Sequence, residues 1–89
     1  MKVSIVGVGY VGLVAGSCLS DGGNHVICID KDPSKIDTLL DGDIPIYEPG
    51  LKEIVDRNVK AGRLRFTTDI ADAITNSLVI FLAVGTPSQ

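Results

Sequence analysis

The sequence is short of aromatic residues: tryptophan is absent, and there are two tyrosines and two phenylalanines. Its core must therefore be built from aliphatic side chains. Cysteine is scarce too, with only Cys18 and Cys28. With no secretory context, two cysteines read as a reduced, intracellular protein and not as a disulfide scaffold. No apolar run approaches the roughly 20 residues that a bilayer crossing needs, so no membrane role is expected. Met1-Lys2-Val3-Ser4-Ile5-Val6 has the opening charge and apolarity of a signal peptide. Gly7, Gly9 and Gly12 then interrupt the apolar stretch and no small-residue cleavage site follows, so the segment reads as a mature cytoplasmic N-terminus. The 8 Lys and Arg residues are scattered singly and the net charge is −3. Such a chain offers no basic patch along its sequence, which excludes a nucleic-acid partner as an expectation. Low-complexity tracts, linkers and internal repeats are also lacking.

What is present is the balance of a globular protein, 45% apolar and 21% charged over 89 residues. That length allows one small domain, or a piece of a larger one. Val3 to Val6 is a short β-branched run without polar alternation, which predicts a strand buried on both faces. Leu13, Val14, Ala15, Cys18 and Leu19 then form an apolar stripe at helical spacing, ended by Gly22-Gly23-Asn24. His25 to Ile29 is a second strand. Asp32 is a helix cap followed by Pro33, with Ile36, Leu39 and Leu40 on the inward face. After an irregular, proline-containing connection over Asp43 to Pro49, a third helix over Leu51–Ala61 carries Leu51, Ile54, Val55 and Val59. Leu64 to Thr67 is a strand, Asp69 caps a helix with Ile70, Ala73 and Ile74 inward, and Leu78 to Leu82 is a last strand.

The order β-α-β-α-α-β-α-β predicts an α/β fold of the Rossmann type: a doubly wound parallel sheet in spatial order 3-2-1-4. It corresponds to the N-terminal part of such a sheet, so residues 1–89 are expected to be one truncated domain. A half-sheet of this kind leaves apolar faces and a strand edge exposed.

Gly7-x-Gly9-x-x-Gly12 falls between a predicted strand and a predicted helix. In that context Gly7 permits the turn, Gly9 leaves room for a pyrophosphate, and Gly12 allows close helix–sheet packing, which Gly16 extends. The amides of Tyr10 and Val11 would open the helix toward the phosphates. Asp30, about 20 residues past the glycines, can accept hydrogen bonds from both hydroxyls of an adenosine ribose and would repel a 2′-phosphate, which favours NAD over NADP. Lys31 blurs that preference slightly. Lys35 sits in a first helical turn, a poor place for a cation against the dipole, so either a ligand role or a solvated surface lysine is equally open. Thr86, in the turn after the last strand, would reach the switch point where ligands sit; a plain turn residue is an equal reading.

Other candidates are set aside. Cys18 on the inward stripe and Cys28 in a strand lack a base, and His25 lacks partners at metal-ligand spacing. Asp37, Asp41, Asp43, Asp56, Asp69 and Asp72 read as solvated faces and caps. No catalytic residue and no metal site is expected.

The chain resembles the UDP-glucose/GDP-mannose dehydrogenase family. The resemblance is carried by Gly7-Val8-Gly9-Tyr10-Val11-Gly12-Leu13, by Ile46-Tyr47-Glu48-Pro49-Gly50-Leu51, by Gly62-Arg63-Leu64-Arg65-Phe66-Thr67-Thr68-Asp69, and by Val84-Gly85-Thr86-Pro87. The Glu-Pro-Gly-Leu segment is the more specific part, since a generic dinucleotide-binding domain has no reason to carry it. The resemblance implies oxidation of a nucleotide sugar's C6 alcohol to a carboxylate in two NAD-dependent steps through a cysteine-bound thioester. It implies NAD contacts at Val11, Asp30, Lys35 and Thr86, beside the turn glycines Gly7, Gly9, Gly12 and Gly85. It also implies that the catalytic groups lie elsewhere, with Cys18 and Cys28 matching none of them, and that the whole enzyme is a homodimer. UDP-glucose is the expected substrate, with GDP-mannose or a UDP-N-acetyl sugar as alternatives. A hydroxyacid dehydrogenase is disfavoured by Glu48-Pro49-Gly50-Leu51. An NAD-sensing regulatory module is disfavoured by the helix at Leu51–Ala61 and by Thr86-Pro87.

Overall fold

The computed structural model describes residues 1–43, 50–75 and 77–82. Four parallel strands, β1 (Lys2–Val6), β2 (His25–Ile29), β3 (Leu64–Thr67) and β4 (Val79–Leu82), lie in the order β3-β2-β1-β4. Between them run α1 (Tyr10–Asp21), α2 (Pro33–Leu40), α3 (Leu51–Lys60) and α4 (Ile70–Thr75). The expected element order and strand order are both met.

The register aligns Val3 with Val26 and Val79, and Val26 with Leu64. Because side chains alternate along a strand, Val3, Ile5, Val26, Cys28, Leu64 and Phe66 then share one face. They join Leu13, Ile36, Leu39, Leu51 and Val55 of the helices in a single buried cluster. The opposite face is covered more thinly. There Ser4 is buried beneath α4, where its Oγ donates to the Ala73 carbonyl at 3.1 Å and pairs with the Ser77 hydroxyl. Ile27 is only half-buried and Arg65 is exposed.

Helix ends follow their local chemistry. The Asp32 side chain accepts from the Ser34 N–H at 2.9 Å and Pro33 opens α2. At the end of α1 the Asn24 side chain donates to the Leu19 carbonyl at 2.9 Å.

Several expected inward residues prove to face out. On α1 the buried positions are Gly12, Leu13, Gly16, Ser17 and Ser20, whereas Cys18 is exposed. Leu13, Gly16, Ser17 and Ser20 recur at the helical three-and-four spacing, and Cys18 lies about 100° from Ser17 around the axis. The small residues win that face because the helix packs close to the sheet. Leu40 is exposed for the same angular reason, since its neighbour Leu39 already points inward. On α3 the inward place expected of Val59 is taken by Asn58, which is fully buried. On α4 Ala73 alone of the three expected residues is buried, while Ile70 and Ile74 are exposed.

Candidate functional site

The parallel register brings the ends of β1 and β2 together at the carboxyl edge of the sheet, where ligands gather in open α/β folds. Gly7 leaves β1 with φ 105°, a conformation that side chains rarely adopt, and its N–H donates to the Ile29 carbonyl at 2.6 Å. Gly9 then caps α1 in an extended conformation, and its carbonyl accepts from the Leu13 N–H at 2.9 Å. Gly9 does not need positive φ. Its use is space: a Cβ added there would meet nothing within 4 Å.

α1 opens with no side-chain cap and no acidic residue in its first turn. The first amides of a helix have no acceptor within it, and the dipole adds partial positive charge. This end opens onto free space in front of Gly9. Tyr10 and Val11, the first two residues of the helix, hold their side chains largely exposed, Val11 at 67%.

Asp30 follows β2 directly. Its N–H donates to the Thr67 carbonyl at 3.2 Å, which ties it to β3. Its carboxylate faces the glycine turn: Oδ2 accepts from the Val8 N–H at 3.2 Å and Oδ1 from the Asp32 N–H at 2.9 Å. Lys35, in the first turn of α2, places its Nζ 3.8 Å from Oδ2. Burial alone would push the Asp30 carboxyl up, but the two N–H bonds and the charges of Lys35 and Lys31 together hold it below the ordinary carboxylate value. The group is thus a pre-oriented anion with lone pairs to spare.

Two recesses flank the glycine turn. One, of about 310 Å³, lies between the turn and α2 and is lined by Val8, Gly9, Tyr10, Lys35, Thr38 and Leu39. The other, of about 260 Å³, is lined by Gly7, Ile29, Asp30, Lys31, Thr68 and Ile70. Sequence reasoning missed Thr38, Leu39, Thr68 and Ile70 as lining residues. The Asp32-Pro33 cap could have pointed to the first two, because it fixes where α2 starts relative to the turn.

The structure therefore brings Gly7, Gly9, Tyr10, Val11, Gly12, Asp30 and Lys35 to one edge of the sheet. Gly85 and Thr86 lie outside the described residues, as do Tyr47, Glu48 and Pro49. Burial pushes the Cys28 thiol up to about 12, which makes it inert as a nucleophile. His25 lies at the opposite end of the sheet, at the start of β2. Among the described residues no group of three His, Cys, Asp or Glu could hold a metal ion, and no helix is long and apolar enough to cross a membrane.

The comparisons with known proteins agree with this geometry. The sequence profile described as "UDP-glucose/GDP-mannose dehydrogenase family, NAD binding domain" matches residues 1–89. The chain belongs to that family. It is 54% identical over 89 residues to a UDP-glucose 6-dehydrogenase of Rhizobium meliloti (strain 1021), covering 100% of this chain and 20% of that protein. It is 46% identical over 89 residues to a GDP-mannose 6-dehydrogenase of Azotobacter vinelandii, again with 100% and 20% coverage. Among solved structures it superposes on a ternary complex of GDP-mannose dehydrogenase from Pseudomonas aeruginosa with a TM-score of 0.94 and 46% identity, covering 100% of this chain and 20% of that one. A UDP-glucose dehydrogenase from Pyrobaculum islandicum gives a TM-score of 0.89 at 38% identity, with 98% and 20% coverage. The chain thus spans about a fifth of the length of these relatives.

For this NAD-binding domain the residues at the carboxyl edge of the sheet fit the cofactor. An uncapped helix start with open space before Gly9 suits a diphosphate, and a carboxylate anchored by backbone suits a pair of hydroxyls. The cofactor, when bound, supplies the hydride acceptor. The glycine turn and Asp30 would hold and orient it.

Proposed function

We propose that this domain holds the adenosine and pyrophosphate of NAD within a nucleotide-sugar dehydrogenase whose substrate is UDP-glucose. The observation that carries the reading is the Asp30 carboxylate, bonded to the Val8 N–H at 3.2 Å and so directed at the glycine turn. In this reading the turn glycines Gly7, Gly9 and Gly12 and the amides of Tyr10 and Val11 cradle the diphosphate. Asp30 accepts from the ribose hydroxyls, and Lys35 lies against the adenosine side. The exposed Val11 gains an apolar contact on binding. On the family resemblance, Gly85 and Thr86 also contact the cofactor. These roles rest on the geometry above and on the family resemblance. On that resemblance the whole protein is a cytoplasmic homodimer that oxidises its substrate in two steps with two NAD.

The similarity to relatives named for GDP-mannose supports that sugar nucleotide as the second reading. An activity screen of the whole protein with UDP-glucose, GDP-mannose and UDP-N-acetyl sugars, followed by NADH formation, separates them. Calorimetry with NAD and NADP tests the site itself. NAD is expected to bind more tightly, and Asp30→Ala to narrow the gap. Equal affinities in the unaltered protein would overturn the role given to Asp30.

A further inference from the structure

A further recess lies away from the cofactor edge, at the amino ends of the strands. It has a volume of about 480 Å³ and is lined by Lys2, His25, Ile27, Arg63, Arg65 and Ser77 among others. That volume is in the range of small-ligand sites, roughly 300–1,000 Å³. The chain is acidic, with 8 Lys and Arg against 11 Asp and Glu and a single histidine. Yet Lys2, Arg63, Arg65 and that histidine converge here, and no described Asp or Glu lines the recess. Lys2 faces His25 directly across β1 and β2, and Arg65 lies beside Ile27 one row further along. No ion pair involves Lys2, His25 or Arg65 among the described residues, although Lys35, Lys52 and Arg57 each have one. Arg63 is held in place, its Nε donating to the Ser20 carbonyl and to Asn58 Oδ1. Asp21, close enough to feel the Arg63 charge, is already engaged by Arg57 and Asn58.

We propose that this recess is a second anion site, selective for a compact oligophosphate, either free or as the phosphate end of a nucleotide. Neighbouring strands lie about 4.8 Å apart, so the cations from β1 to β3 span about 10 Å. A di- or triphosphate chain can extend along that width and meet a cation at each end. Arginine supplies planar, paired donors to phosphate oxygens, and the half-buried Ile27 supplies an apolar wall.

The test is calorimetry on the whole protein, saturated with NAD, using inorganic tripolyphosphate and UTP as probes. Tripolyphosphate is expected to bind, with affinity that falls as salt rises. Replacing both exposed cations, Lys2→Ser with Arg65→Ser, should weaken it about tenfold. Lys60→Ser, outside the recess, should leave it unchanged, and NAD affinity should be the same in every variant. Equal binding of the two probes means that phosphate alone is read, and tighter UTP that is lost in the Lys2/Arg65 double variant means that a base lies on the Ile27 wall; either result supports the site. Absence of tripolyphosphate binding, or binding that survives the double substitution, overturns it.

Discussion

Gly16 of α1 passes so close to Cys28 of β2 that a Cβ on the glycine would stand 2.7 Å from the buried sulfur, and 3.3 Å from Ile5 Cδ1. That contact sets how near the first helix lies to the sheet, and hence where its N-terminus meets the glycine turn. Gly16→Ala is expected to destabilise the fold by about 1–3 kcal/mol through overpacking. Removing the sulfur in Gly16→Ala/Cys28→Ala should recover part of the loss, which a urea-denaturation cycle reads as a coupling between the two sites. Simple additivity would mean that the helix shifts as a whole to make room.

The two thiols should differ sharply toward alkylating reagents. Cys18 is exposed, whereas Cys28 is buried and its thiol is pushed up to about 12. One equivalent of reagent should react with the native protein and the second only on unfolding, with mass mapping placing the first label on Cys18. Fast labelling of Cys28 in the folded state would contradict its place in the core.

Acid should loosen the cofactor edge late. The folded Asp30 carboxyl lies below its ordinary value, as does Asp21, which Arg57 and Asn58 bond. A carboxyl depressed by folding stabilises fully above the unfolded value of about 3.9, and that contribution disappears as pH falls through the lower, folded value. The urea midpoint of the unaltered domain should therefore exceed that of Asp30→Asn at about pH 6, and the difference should shrink toward about pH 3. A difference that grows on acidification would reverse the sign assigned to this carboxylate.

Asn58 and Arg57 sit side by side on α3 and should behave oppositely. The fully buried Asn58 donates to the Ile54 carbonyl at 2.8 Å and to Asp21 Oδ1 at 3.2 Å, and accepts from Arg63 Nε at 2.9 Å. Asn58→Ala strands these partners and should cost about 1–3 kcal/mol. Arg57 bonds Asp21 at 2.7 Å, but in an exposed pair that water screens, so Arg57→Ala should cost clearly less than Asn58→Ala. Thermal or urea unfolding of the two variants makes the comparison.

Much of the fold was legible because the signals were local. Unbroken β-branched runs, the Asp32-Pro33 cap and Gly-x-Gly-x-x-Gly each act within a few residues, and they predicted the strand order that the structure has. The Asn58 network was not legible, because an asparagine on a helix reads as solvent-facing until a neighbouring helix covers it. A sequence pattern ranks apolar character above size, and so it points Cys18 and Leu40 inward. Close packing against the sheet favoured Gly16 and Ser17 instead.

The sequence alone determined which residues form the glycine turn and that a carboxylate ends the second strand, since bonding along the chain fixes spacing and backbone freedom. Only the tertiary structure decided that this carboxylate is aimed at Val8 and Lys35. It alone gathered Lys2, His25, Arg63 and Arg65, scattered along an acidic chain, around one recess. Parallel pairing aligns strand ends that lie far apart in sequence, and no local pattern records which side chains that alignment brings face to face.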